Sequence, residues 1–202
     1  IVCARIYYAI FEWEQYKDNL SEISATWHGG LAIYGGIIGG IIVIVVLCKV
    51  KKIYVMDMLD LFASAVPIGQ ILGRWGNFFN GEAHGPATTL ELLQKLHLPD
   101  FIIKGMYING TYYHPTFLYE SVGNLIVFLV IILVVKKKAQ CTGEQFFSYF
   151  IGYGIVRVFV EGLRTDSLML GPIRMAQLTS IVFIIVGVAG IYYLRNYQKR
   201  KS

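Results

Sequence analysis

Long apolar stretches alternate with short polar segments along this chain, and their lengths match a bilayer. A membrane-crossing helix needs about 20 largely apolar residues. Residues 29–48 form an uncharged run of that kind, ending in Lys49, Lys51 and Lys52. Residues 115–135 form another, interrupted by Glu120 and Asn124 and closed by Lys136, Lys137 and Lys138. A third, 175–194, ends in Arg195, Lys199, Arg200 and Lys201. Two weaker spans are expected at about 54–74 and 146–163, and the opening residues to Trp13 resemble the outer end of a further span. The pattern predicts an all-α fold, a polytopic transmembrane helical bundle.

The basic clusters fix an orientation, because lysine and arginine concentrate in cytoplasmic loops. With all three clusters inside, the chain crosses inward over 29–48 and outward over 54–74, then stays outside to about 114. It returns inward over 115–135, outward over 146–163 and inward over 175–194, so the C-terminus is expected to be cytoplasmic. The outside segment, 86–113, is expected to be a small extracytoplasmic insertion. Thr88 and Glu91 have capping-box spacing ahead of LLQKL, and Asn109-Gly110 is a hairpin-turn signal. The rest reads as one integral membrane domain over 1–202. Because it opens at Ile1 rather than at a methionine, a preceding span is expected.

Composition agrees with a membrane protein: 55% of the 202 residues are hydrophobic and 15% charged, against about 25% charged in a soluble domain. The net charge of +5 lies in the helix-end clusters, and no nucleic-acid partner is expected. Cys3, Cys48 and Cys141 form no disulfide framework, and His28, His84, His97 and His114 lack metal-ligand spacing, so no cofactor is expected.

Ionisable residues inside spans are costly and mark function. Arg74, Glu120, Arg157, Glu161 and Arg164, with Glu82 just beyond a span, all fall toward the outer side of this topology. Arg157, Glu161 and Arg164 are spaced i, i+4, i+7 and are expected on one helical face. Guanidinium forks suit paired phosphate oxygens, so an anionic phosphate group at headgroup depth is the natural ligand. A buried ion-pair network that only ties helices together is the plainer alternative. Residues 73–85, GRWGNFFNGEAHG, read as irregular backbone lining a polar site, with turns at Gly73, Gly76, Gly81 and Gly85 and polar groups at Asn77, Asn80 and Glu82, an ordinary helix terminus being the plainer alternative. In HPTFLYE, 114–120, His114 either functions or caps the helix, and Tyr119 is expected to be an interfacial anchor. Gly35, Gly36, Gly39 and Gly40 give two overlapping GxxxG pairs, which favour close helix packing.

Four motifs in order, HGGLAIYGGIIGG at 28–40, GRWGNFFNGEAHG at 73–85, HPTFLYE at 114–120 and GYGIVRVFVEGLR at 152–164, resemble the prolipoprotein diacylglyceryl transferase family of bacteria. The resemblance implies transfer of the sn-1,2-diacylglyceryl group of phosphatidylglycerol to the lipobox cysteine of a prolipoprotein signal peptide. It implies release of glycerol phosphate without metal or nucleotide, among the lipids of the bacterial cytoplasmic membrane, with the active site on the extracytoplasmic side. Arg74 and Arg157 match the family's essential arginines. Asn77, Glu82 and Gly85 match its signature, Tyr153, Glu161 and Arg164 the pattern around the second arginine, and Glu120 the glutamate that closes the histidine-proline motif. Tyr34 stands where many members have a histidine regarded as a candidate base for the thiol. A tyrosine of pKa about 10 is a poorer base than histidine for a thiol of pKa about 8.5. Either His28 or a carboxylate substitutes, or the position orients lipid. The family also has an N-terminal helix with a functional tyrosine, and this chain begins after it. Two other readings remain: a transporter of an anionic substrate, and a metal-dependent phosphatidyl-transferring synthase with Asp57 and Asp60 as its nearest acidic candidates.

Overall fold

A computed structural model describes residues 1–17, 19–164, 169–170 and 173–200. Two compact units result, Ile1–Met58 and Leu59–Ser202.

In the first unit, α1 (Val2–Phe11) and α2 (Trp13–Tyr16) lead through two short 3-10 turns, Leu20–Ser24 and Thr26–His28, to α3 (Ile33–Lys51). The apolar run starts at 29, but the helix starts only at Ile33, because Gly29 and Gly30 take φ of +85° and +71° and cannot open a right-handed helix. α1 packs on α3 at Gly35 and Gly39. A Cβ at Gly35 would overlap the Cys3 carbonyl, and one at Gly39 would lie 2.7 Å from the Cys3 Cβ. Of the overlapping GxxxG pairs only this one makes the contact. Gly40 has nothing within 4 Å, and Gly36 meets only the Ala4 Cβ at 3.9 Å.

The loop between these helices is organised by Arg5, 5% exposed. Its Nε donates to Ile23 O at 2.9 Å. Its Nη1 donates to Gly29 O at 2.6 Å and Gly30 O at 2.8 Å, and its Nη2 to Glu22 O at 2.7 Å and Ala25 O at 3.2 Å. All five guanidinium protons are thereby used, and the cation lies 5.1 Å from the Tyr16 ring centre.

In the second unit, α4 (Val55–Asn80) continues through Arg74 for six further residues. This corrects the expectation of irregular backbone from Gly73 onward. Gly73 and Gly76 are helical with open space around them, and the chain turns only at Gly81 (φ +68°) and Ala83 (φ +54°). There follow β1 (Ala87–Thr88), α5 (Leu90–Lys95), α6 (Asp100–Gly105), β2 (Tyr107–Ile108) and β3 (Thr111–Tyr113), the strands forming an antiparallel sheet in the order β1-β3-β2. Asn109 and Gly110 take the positive φ values of the β2–β3 turn. The cap of α5 is Thr89, whose hydroxyl accepts from Leu92 N–H at 3.3 Å, one residue later than the Thr88 expected. Phe78, Leu93, Ile102, Ile103, Met106 and Phe117 form the buried core here, with Trp75 against it.

α7 (Thr116–Val130) passes through one π turn, Ile131–Val135, into α8 (Lys136–Lys138). α9 (Glu144–Gly162) is followed by a two-stranded pair, β4 (Met169–Leu170) with β5 (Ile173–Arg174), and by α10 (Met175–Lys199). Among the described residues, four helices are long and apolar enough to cross a membrane, over Tyr34–Lys51, Val55–Asn80, Thr116–Lys138 and Met175–Lys199. α9, expected as a fifth, falls outside that set and carries Glu144, Arg157 and Glu161. It packs closely on both neighbours instead. Gly152 meets Val127 and Val156 meets Gly123 on α7, while Gly154 lies against Ser180 and Ile184, and Gly187 and Gly190 against Phe147 and Ile151, along α10.

Candidate active site

Three helices of the second unit each bring one charged residue to a common point. Near the end of α4, Arg74 directs Nε to Glu120 Oε1 at 3.0 Å. From α9, Arg157 directs Nη1 to the other oxygen of that carboxylate, also at 3.0 Å. Glu120 lies one turn into α7 and is 2% exposed. Its two oxygens are thus divided between two guanidinium groups from different helices.

The network extends both ways. Arg74 Nη1 donates to Asn77 Oδ1 at 3.1 Å, one turn along α4. Arg157 Nη2 pairs with Glu161 Oε2 at 2.7 Å on its own helix, and Glu161 is also 2% exposed. The Glu161 carbonyl, in the last turn of α9, accepts from Arg174 Nη1 at the end of β5. Arg74, Glu120, Arg157, Glu161 and Arg174 therefore form a continuous chain across α4, α7, α9 and the start of α10. Among the described residues this chain holds two carboxylates and three guanidinium groups, the third bonded to a backbone carbonyl, so it keeps an excess of positive charge. Arg74 and Arg157 are partly open, with side chains 23% and 14% exposed.

One helical turn further along lies a polar layer. Gln70 donates to the Tyr149 hydroxyl at 2.9 Å, and Tyr149 stacks on Tyr153 with centroids 5.7 Å apart. Asn124, a turn beyond Glu120, is fully buried with neither amide atom hydrogen-bonded, as is the Ser121 hydroxyl. Of these, only Tyr153 was expected in the site. The signal for the others is their polarity at helical spacing from a charged neighbour: Gln70 to Arg74, Asn124 to Glu120, Tyr149 to Tyr153 to Arg157. Arg174 was also missed. Its signal is an arginine at the opposite end of α10 from the basic cluster.

The remaining expected residues are arranged differently. Arg164 lies two residues beyond the end of α9, its N–H bonded to Glu161 O at 3.2 Å, so it does not continue the helical face of Arg157 and Glu161; Gly162 ends the helix first. Glu82 is exposed, with its N–H on Asn77 O at 2.9 Å and no side-chain partner among the described residues. Gly85 serves close approach rather than a turn, since a Cβ there would lie 2.7 Å from the His114 Cβ and 2.9 Å from Thr116 Cγ2. His114 does not cap α7; its Nδ1 lies 3.4 Å from the Tyr119 hydroxyl, and Pro115 occupies the cap position. Tyr34 and His28 belong to the first unit. Tyr34 is 63% exposed, its ring centre 6.3 Å from that of Tyr7, and the His28 side chain lies outside the described residues. Among the described residues no group of three or more His, Cys, Asp or Glu is placed to hold a metal ion.

Bilayer-length apolar helices that hold a buried, cation-rich charge cluster define a polytopic membrane protein. Within that class, the chain belongs to the prolipoprotein diacylglyceryl transferase family, whose sequence profile matches residues 1–193. It is 52% identical over 196 residues to the phosphatidylglycerol–prolipoprotein diacylglyceryl transferase of Ligilactobacillus salivarius, covering 96% of this chain and 73% of that protein. The enzyme of the same name from Listeria monocytogenes serotype 4b is 49% identical over 195 residues, 96% of this chain and 70% of the other. That of Staphylococcus epidermidis is 50% identical over 202 residues, 99% and 72% respectively.

Proposed function

We propose that this chain transfers the sn-1,2-diacylglyceryl group of phosphatidylglycerol to the lipobox cysteine thiol of a prolipoprotein. The observation that carries the reading is the convergence of Arg74 and Arg157 on the Glu120 carboxylate, in a chain half identical to enzymes of that name. The cysteine sulfur attacks the glyceryl carbon esterified to phosphate. The S–C bond forms as the C–O bond breaks, the electron pair leaves with the oxygen of glycerol phosphate, and the thiol proton passes to a base. Negative charge grows on the departing phosphate, where preorganised cations contribute most.

In this reading Arg74 and Arg157 hold the phosphate. Glu120 and Glu161 orient Arg157, and Asn77 orients Arg74. Tyr153, Arg164, Gly85 and His114 shape the surrounding lipid site. The candidates for the base are His28, Tyr34 and a carboxylate, Glu82; the alternative for Tyr34 is that it only orients lipid. The basic ends of α3, α8 and α10 face the cytoplasm, so the C-terminus is cytoplasmic. The active site and the 86–113 insertion face the other side of the bacterial membrane, where an exported signal peptide presents its lipobox.

The test is transfer of labelled diacylglycerol from phosphatidylglycerol to a lipobox peptide. Wild type, Arg157→Ala, Arg74→Ala and a peptide with serine in place of cysteine are compared. Label on the cysteine peptide alone, lost with either arginine, supports both the reaction and the phosphate site. Transfer that survives both substitutions reduces the arginines to scaffold, and no transfer by folded wild type overturns the reading. Among the three candidate bases, the one whose substitution removes the rising limb of the pH–rate profile is the base.

A further inference from the structure

We propose that Arg174 is a third phosphate-contacting arginine of this site, resting on the reading of the site as one for a phosphate-bearing lipid. Arg174 ends β5 and immediately precedes α10. One nitrogen of its guanidinium, Nη1, donates to the Glu161 carbonyl. That carbonyl already accepts from Arg164 N–H at 3.2 Å, so the bond is not needed to satisfy the end of α9. It fixes the guanidinium beside the residue whose carboxylate holds Arg157.

The rest of the fork is uncommitted: among the described residues Nε and Nη2 have no partner, and no carboxylate pairs with Arg174. Arg157, by contrast, is engaged on both terminal nitrogens, by Glu120 and by Glu161. A half-buried cation whose bond is to a neutral carbonyl retains the donors and the charge that an anion requires. Helix-end packing alone would need neither the charge nor the remaining donors.

The position along the helix points the same way. In the sequence, the other basic residues of α10 and its tail, Arg195, Lys199, Arg200 and Lys201, gather at the far end. Arg174 stands alone at the end that carries the charge chain. A charge placed there is costly unless a ligand uses it.

The experiment uses the full chain in mixed micelles and titrates phosphatidylglycerol at saturating lipobox peptide. Inhibition by free glycerol phosphate is measured alongside. For Arg174→Gln we expect KM for the lipid to rise ~10-fold with kcat within ~3-fold of wild type, as for loss of one charge-assisted hydrogen bond to the bound anion. Glycerol phosphate inhibition should weaken by a similar factor, and Arg174→Lys should recover part of both. An unchanged KM, or a loss confined to kcat, overturns the proposal. Weakened inhibition with normal KM also overturns it, because the arginine would then serve the free phosphomonoester and not the lipid. Should Arg174→Gln fail to fold, Arg174→Lys keeps a donor to Glu161 while losing the fork, and must itself raise KM at least ~3-fold. Absence of transfer by folded wild type would refute the reaction rather than this role.

Discussion

Asp60, in the second turn of α4, caps the amino terminus of α9 across 83 residues of sequence: its Oδ2 accepts from Gly143 N–H at 2.7 Å. The other oxygen, Oδ1, accepts from Phe146 N–H at 2.9 Å. Helix α9 has no side-chain cap of its own, because Gly143 occupies that position. An acidic residue, otherwise a candidate for metal-dependent chemistry, is thus spent on two orphan amides and on the positive end of a helix dipole. Asp60→Ala should destabilise the protein by about 1–2 kcal/mol, as for loss of an N-cap. It should leave KM for lipid unchanged. Thermal unfolding in detergent, compared with Asp60→Asn, checks this, and an unaltered midpoint would show the cap contributes nothing.

Among the described residues, Glu120 is the single bridge between α4 and α9 in the charge chain. Glu120→Gln leaves two guanidinium groups facing each other without a shared counter-charge. Removing one partner of a buried pair costs about 3–5 kcal/mol, and activity should fall at least ~100-fold through misplacement of both arginines. Because the three residues share one network, the losses in Glu120→Gln, Arg157→Gln and the double variant should not add. Strict additivity in activity and unfolding midpoint would mean the contact is incidental.

Arg5 predicts a separable defect in the first unit. Lysine can supply at most three of the five donors and cannot lie flat. The buried Ala25 carbonyl left without a donor costs roughly 1–3 kcal/mol, and the part-buried carbonyls less. Arg5→Lys should therefore expose the 19–30 loop to limited proteolysis while sites in the second unit stay protected. Equal cleavage of wild type and variant would contradict this.

The glycines divide into two predictable sets. A Cβ at Gly187 would lie 2.6 Å from Ile151 Cγ1 and 2.7 Å from the Phe147 carbonyl, so Gly187→Ala should force α9 and α10 apart at a cost of about 1–3 kcal/mol. Gly69, inside α4, has nothing within 4 Å. There Gly→Ala should stabilise by about 0.5–1 kcal/mol through helix propensity. Paired melting curves in one detergent would show the opposite signs.

Cys141 lies in the turn before α9. Burial pushes its thiol pKa above the ordinary value, and the Glu144 carboxylate adds to the rise, while Arg195 opposes it. The thiolate is the alkylating species, so at neutral pH Cys141 should react with maleimide more slowly than a free thiol. Its labelling rate should climb only at pH above the usual thiol range. A labelling midpoint at or below that range would contradict the shift.

The sequence by itself determined what depends on single segments. Apolar runs of bilayer length made the helices at 33–51, 55–80, 116–138 and 175–199, because lipid permits little else for such backbone. The rare charges within these helices and α9 singled out Arg74, Glu120, Arg157 and Glu161, which the fold joins in one network. Tertiary structure decided what depends on residues far apart. Glycine spacing could not say that Gly35 and Gly39, rather than Gly36 and Gly40, would meet α1, since both pairs have the same period. Nor could it place Gly73 and Gly76 within a helix and not in a turn, because glycine is compatible with either and the surroundings choose. Helical spacing put Arg157 and Glu161 together but also reached for Arg164, past a helix end that the sequence did not mark. Asp60 became a cap only when α9, distant in sequence, brought unpaired backbone amides within hydrogen-bonding distance of it, and Arg174 joined the charge chain only when the fold returned it to the end of α9, which no local pattern encodes.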